Sequence, residues 1–510
     1  MPRCSHEPLG LVARRRNCRS RQVQAPADGS FGMQHRIPQP PEAGLLNAVR
    51  FGTDPFRFLE GVQGRFDSIT AVPIPGRAPL VVVTDPDLAH EVLSRPPEFR
   101  RVAAQGSASM IAEQGVVQSD GPLWRQQRGI MRPAFVGRQV REYANTVGHR
   151  VEELAEEWAD IGADGEHRNL HAEMTTLTIR VASEILLGED IGHDRAADFY
   201  EWMAVAGREF EFSPTTVSPA WLPTRTDPEF SEAAEGIRGL AEEIIERRRE
   251  TLAAESEAED ERGGENGTES GDDTRGGSGT AGAKQPQDML TLLLRAEDDP
   301  EVEYPPNQIR DEVATFLIAG HETTALSLSY TMSLLSWNPE VREQVREEAK
   351  QVFGVGESAR TPEYDDVADL THADRAYRES LRLYPPAWAT FRQATGDVRL
   401  GEFRVEEGSA IVLPQWSIQR DRRYFENPTE FDPSRWERRS PNAVSAYFPF
   451  ASGPHACIGQ QFALSGATLA VSRLTRDFEV EIPEDALSDL RPTPTLRPAE
   501  GVPATIRPVE

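Results

Sequence analysis

The stretch Phe450-Ala-Ser-Gly-Pro-His-Ala-Cys457-Ile-Gly459 decides the fold of this 510-residue chain. No cysteine other than Cys457 follows Cys18, two glycines flank it, and residues 460–474 beyond it have a helical pattern. The free N–H groups at the start of a helix favour negative charge on sulfur, so the loop predicts a thiolate. Such a thiolate is suited to ligating a haem iron, whereas the alternative is a small buried cysteine that only packs.

A second motif, Ala319-Gly-His-Glu-Thr-Thr324, lies inside the apolar run 313–335. A glycine in mid-helix costs about 1 kcal/mol relative to alanine, so Gly320 indicates a packing or functional need. Thr323 and Glu322 are an alcohol and an acid suited to passing protons through water. The alternative is that the threonines only hydrogen-bond back to carbonyl groups four residues earlier.

A third motif holds Glu379 and Arg382, which are three residues apart and therefore share one face of a helix. Pairs of this kind are common on exposed helices, where they contribute little to stability. An ordinary surface ion pair is therefore the alternative to a structural role.

With these motifs the chain resembles a cytochrome P450 from about residue 51 to its C-terminus. The family's cysteine loop has the form Phe-x-x-Gly-x-Arg-x-Cys-x-Gly, which Phe450, Gly453, Cys457 and Gly459 match. His455 stands where arginine is usual, and a histidine is only partly charged near neutral pH. The resemblance implies a mainly α fold with a small β-sheet region, in which haem lies between an oxygen-binding helix and the cysteine-loop helix.

The resemblance also implies roles for individual residues. Cys457 would ligate the iron of haem b, Thr323 and Glu322 would guide protons, and the space at Gly320 would admit dioxygen. The expected haem contacts are Trp124, Arg128, Arg392, His455, Cys457, Ala319, Gly320, Phe450 and Gly459. The residues expected to brace the cysteine loop, in a structural role, are Glu379, Arg382 and Arg435.

The activity that the resemblance implies is monooxygenation. One atom of dioxygen would enter a C–H bond of an apolar substrate, such as a fatty acid, a carotenoid or another lipid or terpenoid. Electrons would come from a separate ferredoxin-type donor and its reductase, and we expect a monomer. The alternatives are a peroxide-driven peroxygenase or isomerase on the same fold, and a haem or ligand binder without catalysis.

The composition indicates the type of organism and the cellular compartment. The net charge is -28, the pI is near 4.9, and of the 55 basic residues only Lys284 and Lys350 are lysines. This balance is typical of proteins from salt-loving organisms, although a GC-rich genome is the alternative, and it argues against nucleic-acid binding. The sequence contains no run of 18 apolar residues, so we expect a soluble protein without a membrane anchor. The scarcity of cysteine is typical of a reducing compartment and indicates the cytoplasm.

Three segments are expected along the chain. Residues 1–36 are rich in arginine, and we expect either a disordered extension or a mis-assigned start codon, with Met33 as the true start. We prefer both interpretations to a targeting peptide. Residues 37–510 are expected to form one haem domain. Within it, residues 255–287 are rich in Gly, Ser, Thr and acids, and predict a disordered insertion.

Overall fold

The computed structural model describes residues 35–42, 44–74, 76–102, 109–161, 165–210, 227–265 and 288–509. Their helices are α1 Gly44–Thr53, α2 Pro55–Gln63, α3 Pro86–Ser94, α4 Ser109–Ala112, α5 Gly121–Met131, α6 Arg138–Ala159, α7 Leu170–Ala182, α8 Gly192–Glu209, α9 Pro228–Glu265, α10 Met289–Glu297, α11 Gln308–Trp337, α12 Pro339–Phe353, α13 Thr371–Leu383, α14 Gln415–Ile418, α15 Arg435–Arg438 and α16 Gln460–Asp477. Their strands are β1 Ile69–Val72, β2 Leu80–Val83, β3 Phe99–Arg101, β4 Glu166–Asn169, β5 Thr390–Ala394, β6 Val398–Leu400, β7 Phe403–Val405, β8 Ala410–Leu413, β9 Phe478–Glu481, β10 Leu490–Pro492, β11 Leu496–Pro498 and β12 Pro503–Pro508.

The strands form small sheets beside a helical body. The largest sheet has the order β1-β2-β8-β5-β3, in which β2 and β8 are parallel and the other neighbours are antiparallel. A second sheet has the order β4-β12-β9, and β6-β7 and β10-β11 are two-stranded. The prediction of a mainly α fold with a small β-sheet region is therefore confirmed.

Helix α11 is the centre of the helical body. It has 30 residues, which corresponds to about 45 Å, and most of its side chains are buried on every face. A helix that is apolar all round cannot face water, and α11 packs against α7, α9, α13 and α16. The motif at residues 319–324 lies near the middle of this helix, so its side chains point into the protein.

Helix α16 follows the cysteine loop and is also largely buried. It packs against α6, α12 and α13, and it contacts α11. The loop before α16 therefore ends where four helices meet, and this arrangement fixes the position of the cysteine relative to α11.

Helix α9 extends to Glu265, beyond the point at which the insertion was expected to begin. Residues 251–262 are rich in Ala and Glu, which have high helix propensity, and this explains why the helix continues. The rest of the expected insertion, residues 266–287, lies outside the described residues, as do residues 1–34 of the expected extension. Within the described ranges, no helix has both the length and the apolar character needed to cross a bilayer.

Candidate active site

The cysteine loop is held by its own backbone. The Cys457 N–H donates to the Phe450 carbonyl at 3.0 Å, and Gly459 is the residue before the first turn of α16. Gly453 has a φ of 72°, and a Cβ there would lie 2.3 Å from the Leu93 carbonyl oxygen. A side chain at position 453 would therefore push the loop away from α3, which explains the glycine.

The thiol of Cys457 is exposed to an internal cavity. Burial in the protein raises its pKa, while the Gly459 N–H and the Arg128 guanidinium lower it, and the net effect is a raised pKa. The helix terminus alone thus does not produce the thiolate that the sequence predicted. A bound metal cation would do so, because coordination deprotonates a thiol outright.

The cavity has a volume of about 430 Å³ and lies between α11 and the cysteine loop. Ala319 and Thr323 line it from α11, and Cys457 and Phe450 line it from the loop. The other expected haem contacts on its wall are Arg392 and His455. Residues more than 130 positions apart in the sequence therefore face one chamber, as a shared cofactor requires.

Basic side chains lie at one end of this chamber. Arg392 on β5 is 6% exposed and forms no ion pair among the described residues. His455 is buried, and neither ring nitrogen has a hydrogen-bond partner among the described residues, although Asp120 Oδ1 lies 3.6 Å from Nε2. The rings of His455 and Trp124 meet edge to face at 4.2 Å between centroids. Burial, reinforced by the neighbouring arginines, lowers the pKa of His455 to about 4. The histidine is therefore neutral here, not partly charged as its ordinary pKa suggested.

Arg101 was missed by the sequence reasoning. It lines the same chamber from β3, and burial together with the nearby Arg392 lowers its pKa to about 10. Its guanidinium donates to the carbonyls of Val116 and Ser119 and has no carboxylate partner within the described ranges. No local signal in the sequence marked Arg101, because its position in the chamber depends on tertiary packing.

Trp124 and Arg128 reach the chamber from α5. The indole Nε1 of Trp124 is buried without a partner, and Arg128 donates to the Ala456 carbonyl at 2.9 Å. Buried polar groups are rarely left unsatisfied, so the unpartnered nitrogens of Trp124 and His455 indicate a missing acceptor. The buried Arg392 and the half-buried Arg101 beside them indicate that this acceptor is anionic.

The residues of the α11 motif do not all face the chamber. Ala319 and Thr323 do, because they are four residues apart and share a helix face. Gly320 faces the other way, and a Cβ there would meet Ala182 and Leu186 at 3.4 and 3.6 Å. The expected space for dioxygen at Gly320 is thus taken by α7 and the turn after it, and the small residue on the cavity side is Ala319.

The two threonines of the motif back-bond along the helix. Thr323 Oγ1 donates to the Ala319 carbonyl at 3.1 Å, and Thr324 Oγ1 donates to the Gly320 carbonyl at 3.2 Å. The simpler interpretation of the threonine pair therefore describes the geometry. Since the hydrogen of Thr323 is engaged, its oxygen offers lone pairs to the chamber and can accept a hydrogen bond.

Glu322 lies apart from Thr323, since adjacent helical residues do not face each other. It is 3% exposed and accepts two hydrogen bonds of 2.5 Å from Arg497 on β11, and one of 3.1 Å from Thr495. Burial alone would raise the pKa of Glu322, but Arg497, aided by His321, holds it well below its ordinary value. Arg497 was not expected, because nothing local in Leu-Arg-Pro indicates a partner on α11.

The expected structural triad is assembled. Arg382 donates to both oxygens of Glu379, at 2.7 and 3.0 Å, and Arg435 Nε lies 3.3 Å from Glu379 Oε1. Both Glu379 and Arg382 are 0% exposed, so this is not the surface pair that was the alternative. Arg382 also donates to the carbonyls of Gln419, Pro428 and Glu430. The triad thus fixes the chain that leads to the cysteine loop.

These features fit a planar dianionic cofactor bound through sulfur. The chamber offers a thiol on one wall, a helix on the opposite wall, and unpartnered donors with buried cations at one end. Carboxylate groups would satisfy those donors and cations together. Haem, with an iron centre and two propionates, has this combination of groups.

Comparison with known proteins agrees with this geometry. The family model named Cytochrome P450 matches residues 38–502. The chain belongs to the cytochrome P450 family. As a member of it, this P450 is a haem-thiolate monooxygenase with haem b, iron protoporphyrin IX, as its cofactor, and it requires an organic substrate, dioxygen and a source of electrons.

Its relatives include plant and bacterial proteins. It is 28% identical to cyclooctatin synthase of Streptomyces melanosporofaciens, over 89% of this chain and 91% of the relative. It is 27% identical to pentalenene oxygenase of Streptomyces avermitilis, over 86% of this chain and 89% of the relative. Cytokinin hydroxylase of Arabidopsis thaliana is 27% identical over 85% of this chain and 80% of the relative.

Proposed function

We propose that the chamber between α11 and the cysteine loop is the haem site of this P450, with Cys457 as the iron ligand. Support comes from the exposed sulfur and from the unpartnered donors at one end of the chamber. The residues proposed to hold the propionates are Trp124, Arg128, Arg392, His455 and, in addition to those expected, Arg101.

The protein's own side chains bind, orient and move protons around the cofactor. When bound, haem supplies dioxygen activation, with one oxygen atom entering a C–H bond and the other leaving as water. Thr323 Oγ1 accepts a hydrogen bond in the chamber. The small side chain of Ala319 leaves space at the wall next to it. Glu322, which precedes Thr323 on α11 but does not line the chamber, supplies the charge that orders water next to Thr323.

The substrate is proposed to be a neutral, polycyclic or extended terpenoid. A second chamber of about 210 Å³ adjoins the haem chamber, and both share Val117 and Ala319. Its wall is mainly apolar and includes Ile111, Phe210 and Ile318. An apolar pocket with few polar groups binds a hydrocarbon skeleton by burying its surface, which contributes about 25 cal/mol per Å².

The charges in this chamber argue against a fatty acid. Among the described residues its wall contains one cation, Arg497, whose guanidinium is already engaged by Glu322 and the Met203 carbonyl. A fatty-acid carboxylate placed there would be desolvated without a free partner, which is costly. The relatives named for pentalenene, carotene and an oxo-β-amyrin fit the same preference.

A spin-state titration of the haem tests this substrate class. Cyclic terpenes and carotenoids should shift the Soret band at micromolar concentration, and fatty acids of matched length should not. The variant Ile318→Phe, which narrows the apolar chamber, should weaken binding of bulky terpenoids more than of small ones. Val136→Phe is the control, since Val136 is 48% exposed and lies outside the chamber wall. Tight binding of fatty acids with no response to terpenoids would contradict the proposal.

The electron donor is proposed to be an acidic ferredoxin-type protein that docks beside α5. Arg128 on this helix contacts the cysteine loop. Arg125 on α5 and Arg132, the residue that follows α5, are three and four residues from Arg128 and therefore share its face. Both are exposed, and neither forms an ion pair within the described part of the chain. In a protein of net charge -28, such cations stand out as a site for a negatively charged partner.

Three of the five arginines before the cysteine loop already have partners, which makes these three less suited to the docking role. Arg420 is packed over the Trp416 ring and donates to the Leu383 carbonyl, so it is structural. Arg423 pairs with Asp421, and Arg438 pairs with Asp432. The others are Arg422 and Arg439.

Charge reversal on α5 tests the docking site. The double variant Arg125→Glu/Arg132→Glu should slow reduction by ferredoxin and reduce its salt dependence, while reduction by dithionite stays unchanged. Arg57→Glu on α2, another exposed arginine, is the matched control. Unchanged ferredoxin kinetics in the double variant would place the docking face elsewhere.

We propose a cytoplasmic monomer in which residues 37–510 form one haem domain. The cytoplasmic location is supported by the small number of cysteines, three in 510 residues, which fits a reducing compartment. Size-exclusion chromatography with light scattering tests the monomer.

A further inference from the structure

A histidine on α3 holds the segment that leads into the cysteine loop. His90 is half-buried, and its two ring nitrogens contact two residues of that segment. Nε2 lies 2.8 Å from the Ser445 carbonyl oxygen, and Nδ1 lies 2.7 Å from Ser452 Oγ. One side chain therefore ties both ends of residues 445–452 to a helix that is 355 and 362 positions away in the sequence. None of the roles assigned above uses His90.

The two contacts define which nitrogen of His90 donates. A carbonyl oxygen only accepts, so Nε2–H donates to Ser445, and in the neutral ring Nδ1 then accepts from the Ser452 hydroxyl. If the ring took up a proton, Nδ1 would donate and the hydroxyl oxygen would accept. Both hydrogen bonds are present in either state of the ring, so the contact does not depend on its charge.

The turn at the second contact contains an unfavourable backbone conformation. Ala451 has a φ of 56°, in the left-handed region that a residue with a Cβ rarely adopts, and Gly453 has a φ of 72°. Such a conformation costs free energy and persists only where the surrounding structure holds it in place. Ser452 lies between these two residues, so its hydrogen bond to His90 acts at the centre of the turn.

The same turn provides the acceptors that hold the backbone at the cysteine. The Cys457 N–H donates to the Phe450 carbonyl, and the Ala456 N–H donates to the Gly453 carbonyl at 3.1 Å. One acceptor lies two residues before Ser452, and the other lies one residue after it. A shift of Ser452 would therefore move both acceptors and, with them, the backbone that carries the cysteine.

The middle of the segment has a second support. Phe448 is 4% exposed, its ring lies 5.2 Å from the His90 ring between centroids, and its N–H donates to Gln419 Oε1 at 3.1 Å. Gln419 in turn donates to the carbonyl of Arg382, a member of the structural triad. The segment thus lies between the buried triad and the half-buried His90.

We propose that His90 is a positioning residue of the haem-thiolate site, which keeps the Cys457 sulfur within reach of the backbone N–H groups that stabilise its charge. The Gly459 N–H is such a donor to the sulfur. Hydrogen bonds to a ligating sulfur draw charge away from it and so change the reduction potential of the bound iron. This inference rests on the proposed role of Cys457 as the iron ligand.

Three variants separate the hydrogen bonds of His90 from the packing of its ring. His90→Phe keeps an aromatic ring and removes both hydrogen bonds, and Ser452→Ala removes one of them. His90→Gln supplies an amide that can donate to the Ser445 carbonyl again. His167→Phe is the matched control, because Nδ1 of this exposed histidine lies 2.9 Å from the Thr505 hydroxyl, between β4 and β12 and outside the cysteine loop.

The first measurement is the stability of thiolate ligation in the haem-loaded protein. In mild urea, His90→Phe should speed the loss of the red-shifted ferrous carbon monoxide spectrum by roughly tenfold. Ser452→Ala should speed it by a smaller factor, because it removes one neutral hydrogen bond and His90→Phe removes two. His90→Gln should recover most of the wild-type stability, whereas His167→Phe should not change it.

The second measurement is the midpoint potential of the haem in the intact protein, without urea. The potential should become more negative in His90→Phe and in Ser452→Ala, because weaker N–H donation leaves more charge on the sulfur. His90→Gln should return the potential toward the wild-type value. A histidine that only stabilised the fold would not change the potential of the intact protein.

Wild-type potentials and wild-type spectral stability in both His90→Phe and Ser452→Ala would overturn the inference. If His90→Phe does not fold, the result for Ser452→Ala decides by itself. Equal changes in His167→Phe would also overturn it, since they would reflect a general loosening of the protein. Failure of His90→Gln to restore either property would count against the hydrogen bonds as the cause. If the wild type itself lacked the red-shifted spectrum, the failure would lie in the proposed function instead.

Discussion

Replacing Arg497 with methionine should destabilise this P450 by about 3 kcal/mol at pH 7. The change removes both 2.5 Å hydrogen bonds to Glu322, a carboxylate that is 3% exposed. Burial then acts on Glu322 without its main counter-charge, so its pKa rises above the ordinary value of 4.5. The folded variant avoids a buried unpaired charge, worth about 3–5 kcal/mol, by taking up a proton.

The free energy needed to protonate Glu322 determines the size of the destabilisation. Protonating a group of ordinary pKa 4.5 at pH 7 costs about 1.4 kcal/mol for each pH unit between the two values, or about 3.4 kcal/mol. Since this is at the lower end of the cost of leaving the charge unpaired, protonation is the path that the variant takes. The methionine side chain keeps most of the apolar volume of the arginine stem, so cavity effects add little.

The dependence on pH follows from the two pKa values. In the wild type the folded pKa of Glu322 is below 4.5, so its contribution is present above pH 4.5 and is lost as the pH falls through the folded pKa. In the variant the folded pKa is above 4.5, so stability is lost as the pH rises from 4.5 toward that value. The difference between the two proteins should therefore grow from pH 5 to pH 7 by about 1.4 kcal/mol per unit.

Equilibrium urea unfolding of the haem-loaded protein, followed by tryptophan fluorescence at pH 5, 6 and 7, measures this difference. Arg208→Met is the control, since the Arg208 side chain is 66% exposed and pairs with an exposed glutamate, so its loss should cost no more than about 0.5 kcal/mol. Adding Glu322→Gln to Arg497→Met should restore much of the stability at pH 7. A loss that does not vary with pH would refute the reasoning, because it would mean that Glu322 keeps its charge or was never anchored by Arg497.

Four further outcomes are expected. Cys457→Ala should abolish the red-shifted ferrous carbon monoxide spectrum of thiolate-ligated haem, and an unchanged spectrum would remove Cys457 as the ligand. Thr323→Ala should bind haem normally but divert reductant into peroxide, whereas Thr331→Ala, a buried back-bonding threonine elsewhere on α11, should stay coupled. Arg382→Met should cost about 3–5 kcal/mol in urea unfolding because Glu379 keeps a buried charge with only Arg435 nearby, and a loss below about 1 kcal/mol would contradict the buried triad. Raising potassium chloride from 0.1 to 2 M should raise the melting temperature, since salt screens repulsion in a chain of net charge -28; no change would remove the inference of a salt-loving source.

The sequence predicted the elements of the site because their signals are local. A glycine-flanked cysteine before a helix, a polar motif in an apolar run and an i,i+3 ion pair are all read within a few residues. The helices around them follow from apolar periodicity and propensity, and α11 and α16 formed where the patterns placed them.

The predictions that were wrong or missing have a different cause. Gly320 was assigned to the cavity by its residue type, but its direction is set by the helical rotation of about 100° per residue from Ala319. Arg101 and Arg497 come from short strands whose sequences resemble any exposed arginine. Their importance depends on tertiary packing against Arg392 and Glu322, and no local pattern contains that information.

The position of Glu322 links these observations. A buried carboxylate is costly, and a motif that needed only packing would have an apolar residue at position 322. Instead Glu322 is kept, and Arg497 from a distant hairpin neutralises its charge. A buried ion pair of this kind contributes little net stability, so packing does not explain it. It holds an acid on α11 next to Thr323, which is the group that the proposed proton transfer requires.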